Sequence, residues 1–347
     1  EVPMTYALGT SRGRIVTAPL LLIDVETEEG VTGRAYLWSY FRQAMPAIAS
    51  ILAAVEERAK GARLEPAALR ALLSERFALI GVQGIVRMAM SGFDVACWDA
   101  CACAAGVPLA RLVGAAPRAI PAYNSCGLGL MPLDALADEA EKLLAGGFRA
   151  VKLRLGYPSL QEDLAAIRAV RGRLPPDVAI MVDYNQALGA KEALARGLAL
   201  DHEGIAWLEE PIRHNDYEGA AMLARSLDVP VQIGENFSLV AAMRAALDAD
   251  ACDLVMPDLE RIGGVSGWLE AAGLAAERNI RMSSHLYPEA SAHLLAATPT
   301  CHYLEYVDWA APVLREPLQI VDGCAVVPDR PGSSVEWDTR AVERYRV

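Results

Sequence analysis

Six apolar segments in the second half of the chain each end in a polar residue, and this regular pattern most narrows the choice of fold. The segments are IMVDYNQ, WLEEP, VQIGEN, LVMPDL, MSSHL and YLEYVD, and their polar residues are Asp183, Glu209, Glu235, Asp258, His285 and Glu305. The shortest interval is 20 residues, from His285 to Glu305, and the longest is 27, from Asp258 to His285. Such intervals hold one strand, one helix and two loops. Polar side chains at the carboxyl ends of successive strands therefore predict a (β/α) barrel.

The first three of these residues are carboxylates. Asp183, Glu209 and Glu235 would converge at the mouth of a barrel, where they repel one another unless a divalent cation lies between them. Ligation by oxygen alone favours Mg²⁺ over zinc. Any one of these acids could instead cap a helix or lie in a solvated loop, but their joint spacing favours a metal site.

Motifs along nearly the whole chain resemble those of the enolase superfamily, and within it those of the mandelate racemase group. They are VPMTYALGT, VKLRLGYP, VDYNQ, EEP, GEN, MPD with IGGV, and SSHLYPEASAHLLAATPT with LE. The resemblance implies Mg²⁺ ligands at Asp183, Glu209 and Glu235, a catalytic dyad of Asp258 and His285, a general acid at Glu305 and the first lysine of a Lys-x-Lys strand at Lys152. One position departs from the pattern, because the second lysine is Arg154.

The segments before the barrel predict a separate α+β domain. APLLLIDVETEEGVTGRAYLW reads as a hairpin, and three helices are expected at about 42–60, 65–78 and 84–104, before any β/α alternation begins. The resemblance implies an α/β fold in which a (β/α)7β TIM-like barrel, 118–310, is capped by residues 1–117 together with a returning C-terminal segment, 311–347. It also implies that a loop at 5–14 closes over the substrate.

Three residues are expected to contact the substrate. Ser125 lies where the family that this chain resembles contacts the substrate carboxylate, Asn185 follows the first metal ligand, and Tyr40 would join the wall formed by the loop at 5–14. We also expect Glu305 to be protonated, because burial near other carboxylates favours the neutral acid.

Strand alternation places Lys152 and Arg154 on one face, with Val151, Leu153 and Leu155 on the other. Two cations that point into a barrel need an anionic partner, which would be the substrate carboxylate or the ligand cluster. In the racemases that this chain resembles, the second lysine is the base on the opposite face of the substrate. Arginine keeps its proton and is a poor base, although its planar fork could hold a carboxylate or vicinal hydroxyls.

These residues predict Mg²⁺-dependent removal of the α-proton of a 2-hydroxy or sugar carboxylate. Dehydration with His285 as the single base is favoured over racemisation or epimerisation because of Arg154, although the wider similarity to mandelate racemase argues for the racemase. A barrel that binds an acidic ligand without catalysis is the alternative from another class. A muconate-cycloisomerase type is disfavoured, because that group uses a lysine on the sixth strand, where this chain has Asp258.

Charge and composition restrict the partners. A formal net charge of −12 and a pI near 5.0 argue against nucleic acid or an anionic membrane, and 53% hydrophobic residues suffice for a large core. The seven cysteines are expected to be reduced thiols of a cytoplasmic protein. The resemblance implies a homo-oligomer, with the octamer as the family's form. Because the chain opens at Glu1 near the end of an apparent strand, we expect some preceding residues to be missing.

Overall fold

The computed structural model describes the whole chain, residues 1–347, and its first domain joins two hairpins to a set of helices. The elements in chain order are β1 (Val2–Thr10), β2 (Gly13–Ala18), β3 (Leu20–Glu26), β4 (Thr32–Trp38), a 3₁₀ turn at Arg42–Ala44, α1 (Met45–Ala59), α2 (Pro66–Arg76), α3 (Gly84–Ala105) and α4 (Leu109–Leu112). The predicted hairpin and three helices are therefore confirmed. This α+β domain is called the cap below.

The cap is held together by the packing of β4 on the long helix α3. Gly33 on β4 makes this possible, since a Cβ at that position would lie only 2.0 Å from the carbonyl oxygen of Ala96 and 2.6 Å from the Cβ of Ala100. Helix α3 ends at Gly106, whose φ of 68° is the left-handed conformation that a glycine adopts without strain. The small residues of ACWDACACAAG thus serve packing, and all seven cysteines are free.

The rest of the chain alternates strands and helices. The elements are β5 (Ala119–Asn124), α5 (Leu133–Lys142), β6 (Ala150–Arg154), α6 (Leu160–Arg173), β7 (Ala179–Asp183), α7 (Ala190–Leu200), β8 (Leu208–Glu209), α8 (Tyr217–Ser226), β9 (Val231–Ile233), α9 (Leu239–Asp248), β10 (Leu254–Val255), α10 (Leu259–Ile262), α11 (Gly264–Glu277), β11 (Arg281–Met282), α12 (Pro288–Ala296) and β12 (Leu304–Tyr306). Strands β5 to β11 pair in chain order, and β12 pairs in parallel with β5. A bridge between Met282 and Cys301 closes the ring, which confirms the predicted barrel.

The C-terminal segment forms a hairpin on the barrel before it reaches the cap. Strands β13 (Ile320–Val321) and β14 (Cys324–Val326) form the hairpin, and β14 pairs antiparallel with β5. The chain then reaches the cap, where the indole of Trp337 donates to Asp24 at 2.7 Å. A last helix, α13 (Thr339–Tyr345), ends the chain.

The predicted loop at 5–14 is mostly strand. Strands β1 and β2 continue to Thr10 and from Gly13, so that the turn consists of Ser11 and Arg12. This turn lies on the mouth of the barrel, where Ser11 Oγ donates to the carbonyl of Tyr184 at 3.3 Å and Arg12 Nε to that of Asn185 at 3.3 Å. No helix in the structure combines the length and the apolarity that a membrane span requires.

Candidate active site

The six polar residues of the repeating pattern meet at one end of the barrel. Asp183 and Glu209 are the last residues of β7 and β8, Glu305 lies in β12, and Glu235, Asp258 and His285 follow β9, β10 and β11 within three residues. All six are buried, with at most 6% of their surface exposed. The residues that the sequence pattern marked therefore lie together in the fold, and their roles stay predictions.

Asp183, Glu209 and Glu235 each place a carboxylate oxygen within 4.8 Å of the others. Glu235 Oε2 is buried and has no hydrogen-bond partner, so it retains lone pairs for a ligand. A set of oxygen donors with an unpartnered buried oxygen fits Mg²⁺, as the sequence predicted.

Neighbouring polar groups orient these carboxylates. The backbone and side-chain nitrogens of Asn185 donate to Asp183 at 2.7 and 3.0 Å. The indole of Trp207 donates to Glu209 at 3.0 Å, and Asn236 Nδ2 donates to Glu235 at 3.1 Å. Asn185 was expected to contact substrate; its amide nitrogen is used by Asp183, while its Oδ1 is buried without a partner.

Lys152 points from β6 into the same cluster. Its Nζ lies 2.7 Å from Glu209 Oε1, 2.7 Å from Glu305 Oε1 and 3.3 Å from Asp183 Oδ2. Burial alone would lower the pKa of this ammonium group, but the surrounding carboxylates, Glu209 first among them, raise it well above its ordinary value. The sequence predicted that the anionic partner of Lys152 would be either the substrate carboxylate or the cluster of metal ligands. In the structure Lys152 contacts the cluster.

Glu305 differs from its expected state. Burial alone would raise the pKa of this carboxyl, but Lys152, His285 and a hydrogen bond from Ser125 lower it below the usual range. The backbone N–H of Leu286 also donates to its Oε2 at 2.9 Å. The prediction of a protonated Glu305 is therefore wrong for the site without substrate, because the neighbouring cation stabilises the anion.

The Asp258–His285 pair has the geometry of a dyad. His285 Nδ1 lies 2.6 Å from Asp258 Oδ2, while Asp258 Oδ1 accepts from the first turn of α10 at 2.9 and 3.2 Å. The aspartate is thereby fixed, and it selects the tautomer that carries a proton on Nδ1. His285 Nε2 faces Glu235 at 3.3 Å. Burial would lower the imidazole's pKa, but Glu235, Glu305 and Asp258 raise it to about 9.

Arg154 and Ser125 bind each other rather than facing an open cavity. Arg154 Nη1 donates to the carbonyls of Ser125 and Gly127 at 2.8 and 2.7 Å, and Nη2 donates to Ser125 Oγ at 2.9 Å. Ser125 Oγ in turn donates to Glu305 at 2.7 Å. Both side chains are buried, at 3% and 0% exposure. These groups are therefore already engaged with one another, and the substrate contacts expected of Arg154 and Ser125 stay predictions.

Tyr40 joins the site from the cap, and a residue beside it escaped the sequence analysis. Its ring packs against Trp38 with centroids 4.2 Å apart, and the guanidinium of Arg261 lies 6.0 Å from the Tyr40 centroid. Arg261 also donates to the carbonyl of Glu235 at 2.9 Å. The sequence signal that could have found Arg261 is its position three residues after Asp258, at the end of a helical turn.

Two further buried acids were missed. Glu210, next to Glu209, accepts from Asn236 Nδ2 at 3.1 and 2.9 Å. Glu260, in the turn that follows Asp258, accepts from the hydroxyl of Tyr287. Burial raises the pKa of Glu210 well above its ordinary value and that of Glu260 to about 8. Neither acid ends an apolar segment, so the repeating pattern did not mark them.

A capped parallel barrel with convergent carboxylates, a buried lysine and an Asp–His pair at its strand ends defines the class of enolase-type enzymes. Residues 1–114 match the N-terminal domain of the mandelate racemase / muconate lactonizing enzyme family, and residues 135–342 match the enolase C-terminal domain-like family. The chain belongs to the mandelate racemase group of the enolase superfamily and is an enzyme of it.

Two solved structures and one relative of known name resemble this chain over most of its length. An enolase from alpha pretobacterium bal199 with bound magnesium is 42% identical, with a TM-score of 0.97, over 99% of this chain and 96% of that chain. An enolase from Bradyrhizobium in complex with magnesium and mandelic acid is 39% identical, with a TM-score of 0.95, over 100% and 95%. L-talarate/galactarate dehydratase of Salmonella typhimurium is 35% identical over 74% of this chain and 64% of its own length. The magnesium in the solved structures agrees with the predicted cofactor.

Proposed function

We propose that the enzyme removes the α-proton of a 2-hydroxy or sugar carboxylate with His285 as its only base, and that it dehydrates a polyhydroxy acid. The observation that carries this proposal is the direction of Arg154. At the position where racemases of this group have their second base, a guanidinium donates three hydrogen bonds to the loop after β5. A protonated group engaged in this way accepts no proton from the substrate.

Asp183, Glu209 and Glu235 would hold Mg²⁺, and when bound the ion supplies positive charge that stabilises the negative oxygens of an enediolate. Lys152 adds a fixed charge beside the same oxygens, because its ammonium group is buried against the ligand cluster. The acidic proton nearest to these oxygens would be one on Lys152, whose Nζ lies 2.7 Å from Oε1 of the Glu305 carboxylate.

One imidazole can carry out both proton transfers that the loss of water requires. Neutral His285 carries a proton on Nδ1, held by Asp258, and accepts the C2 proton on Nε2 as the C2–H electron pair enters the enediolate. The imidazolium then returns that proton to the hydroxyl on C3, which leaves as water when the C3–O bond breaks. The resulting enol takes a proton on C3, loses the one on its 2-hydroxyl and becomes a 2-keto-3-deoxy acid.

Racemisation is the second candidate, and one observation favours it. The Bradyrhizobium relative contains mandelic acid, which has no hydroxyl on the carbon next to C2 and so cannot lose water in this way. An enzyme that acts on such an acid can only exchange or invert the C2 proton, and inversion needs a proton donor on each face. The dehydratase from Salmonella typhimurium favours the first candidate.

Proton NMR in D₂O with Mg²⁺ and a panel of hydroxy acids separates the two. The panel contains both enantiomers of mandelate and a set of aldonic and aldaric acids. Dehydration predicts a 2-keto-3-deoxy product from at least one sugar acid, with reaction of one C2 configuration only. Loss of optical rotation with deuterium at C2 would support the racemase instead.

We also propose the domain boundaries, the oligomeric state and the location of the enzyme. We place the domain boundaries near residues 117 and 310, expect a homo-oligomer as the family resemblance implies, and expect the enzyme to act in the cytoplasm. Light scattering coupled to size exclusion tests the oligomer, and limited proteolysis tests the boundaries.

A further inference from the structure

Arg154 is a buried cation that none of the chemical steps above uses directly. Its two terminal nitrogens bridge the carbonyls of Ser125 and Gly127 and the hydroxyl of Ser125. Its own backbone N–H donates to the carbonyl of Leu128 at 2.9 Å. Strand β6 thereby holds the segment 125–128, which follows β5, through four hydrogen bonds from one residue.

The hydroxyl of Ser125 has a single proton, and Arg154 determines where that proton points. Because Ser125 Oγ accepts from Arg154 Nη2 at 2.9 Å, its own proton is directed to Glu305 Oε1 at 2.7 Å. Ser125 is fully buried, so bulk solvent does not reach its hydroxyl. Without the guanidinium the hydroxyl would be free to rotate, and Glu305 would lose a fixed donor.

Glu305 is the end of this chain of contacts. Its Oε1 accepts from Ser125 and faces Lys152, while its Oε2 accepts from Leu286, the residue after His285. The orientation of Glu305 therefore links the β5 loop to the lysine and to the segment that carries the base.

We propose that Arg154 is a positioning residue, which fixes the Ser125 hydroxyl as a donor and so holds Glu305 and Lys152 in their reactive arrangement. This inference rests on the proposed function, because it assigns Arg154 to the same chemistry. A lysine could not replace it, since one ammonium nitrogen lacks the planar fork that reaches two carbonyls and a hydroxyl at once.

The test is a double-mutant cycle with Arg154→Gln, Ser125→Ala and the two combined, measured on the best substrate of the acid panel. We expect each single variant to lower kcat by about 100-fold, with KM changed less than about threefold, since misplacement by an ångström has effects of this size. The double variant should be no slower than about threefold below the slower single variant, because both act through one path. Arg149→Gln, an exposed arginine next to β6, should match the parent.

Other outcomes overturn the inference. Losses that multiply in the double variant would mean independent roles, and a rise in KM alone would mean a substrate clamp. The inference would also fail if Arg154→Lys kept the parent's kcat and exchanged the C2 proton of both configurations. Position 154 would then be the site of a base.

Amide hydrogen exchange tests, without any substrate, whether Arg154 holds the segment 125–128 in place. In Arg154→Gln the amides of residues 125–128 should exchange at least tenfold faster than in the parent, and in Arg149→Gln they should not change. Unaltered exchange in Arg154→Gln would overturn the inference whatever the activity. A parent enzyme that turns over no acid would count against the proposed function alone.

Discussion

The ammonium nitrogen of Lys152 lies 2.7 Å from Oε1 of Glu305, and both side chains are almost fully buried. Glu305 is therefore an anion in the metal-free site, and Lys152 is the cation that compensates it while it also contacts Glu209. Removing one partner of a buried ion pair leaves an uncompensated charge in a medium of low polarity. We therefore expect the loss of Lys152 to lower the stability of the metal-free protein and, if the proposed mechanism holds, the rate of catalysis.

Lys152→Met should lower the free energy of unfolding of the metal-free protein by about 3 to 5 kcal/mol and kcat by at least about 100-fold. Denaturant unfolding in EDTA and steady-state kinetics in Mg²⁺ measure the two effects. Lys142→Met, on the exposed end of α5, is the control and should change neither. A Lys152→Met protein with the parent's stability would contradict the ion-pair account.

The raised pKa of His285 predicts how stability depends on pH. The pKa is about 9 in the metal-free fold and about 6.5 in an unfolded chain, so the contribution of His285 is complete below pH 6.5 and is lost as the pH rises through 9. The loss amounts to about 3 kcal/mol. Unfolding measured from pH 6 to 10 in EDTA should show this decline, and His285→Asn should lack it.

Mg²⁺ should reduce the same pH dependence. Glu235, which faces His285 Nε2 at 3.3 Å, is the largest of the groups that raise this pKa, and a bound cation would cancel its charge. The Cε1–H signal of the His285 imidazole, followed by NMR titration, should report a lower pKa with Mg²⁺ than with EDTA. An equal or higher value with Mg²⁺ would argue against Glu235 as a ligand.

Glu235→Gln should weaken metal binding while it keeps the shape of the side chain. In the parent, Mg²⁺ at 100 times its dissociation constant should stabilise the fold by about 2.7 kcal/mol, and the variant should lose most of that gain. Thermal unfolding with and without Mg²⁺, together with calorimetric titration, measures it. Glu218→Gln, on the exposed first turn of α8, should bind as the parent does. Equal binding by Glu235→Gln would remove it from the ligand set.

Gly129→Ala should loosen the hairpin of β1 and β2 from the barrel. A Cβ at this position would lie 2.4 Å from the carbonyl oxygen of Gly9, which accepts from Leu130 at 3.2 Å, so backbone must move. We expect KM to rise about tenfold or more, because the turn at Ser11 and Arg12 covers the site. Gly172→Ala meets no atom within 4 Å in an exposed helical turn and should instead stabilise the protein by about 0.5 to 1 kcal/mol. An unchanged KM in Gly129→Ala would show that the packing of this hairpin on the barrel does not affect substrate binding.

The sequence indicated which polar residues would converge, because each lies at or near the carboxyl end of an apolar strand and strand ends converge in a barrel. It misjudged residues 5–14, where Gly9 and the polar run to Arg12 suggest a loop although Leu8 pairs with Ile15. The charge of Glu305 was also out of reach, because it depends on how closely Lys152 approaches from another strand. Alternation placed Arg154 inside the barrel, but its carbonyl partners belong to a loop that no periodicity describes.

Deuterium exchange at C2 in D₂O with Mg²⁺ tests most directly whether His285 alone moves the C2 proton. For a sugar acid that the parent dehydrates, we expect exchange or elimination from one C2 configuration only, and a rate lower by at least about 1,000-fold in His285→Asn. His202→Asn, exposed after the end of α7, should retain the parent's rate. Undiminished exchange in His285→Asn, or exchange of both configurations by the parent, would contradict the single-base mechanism.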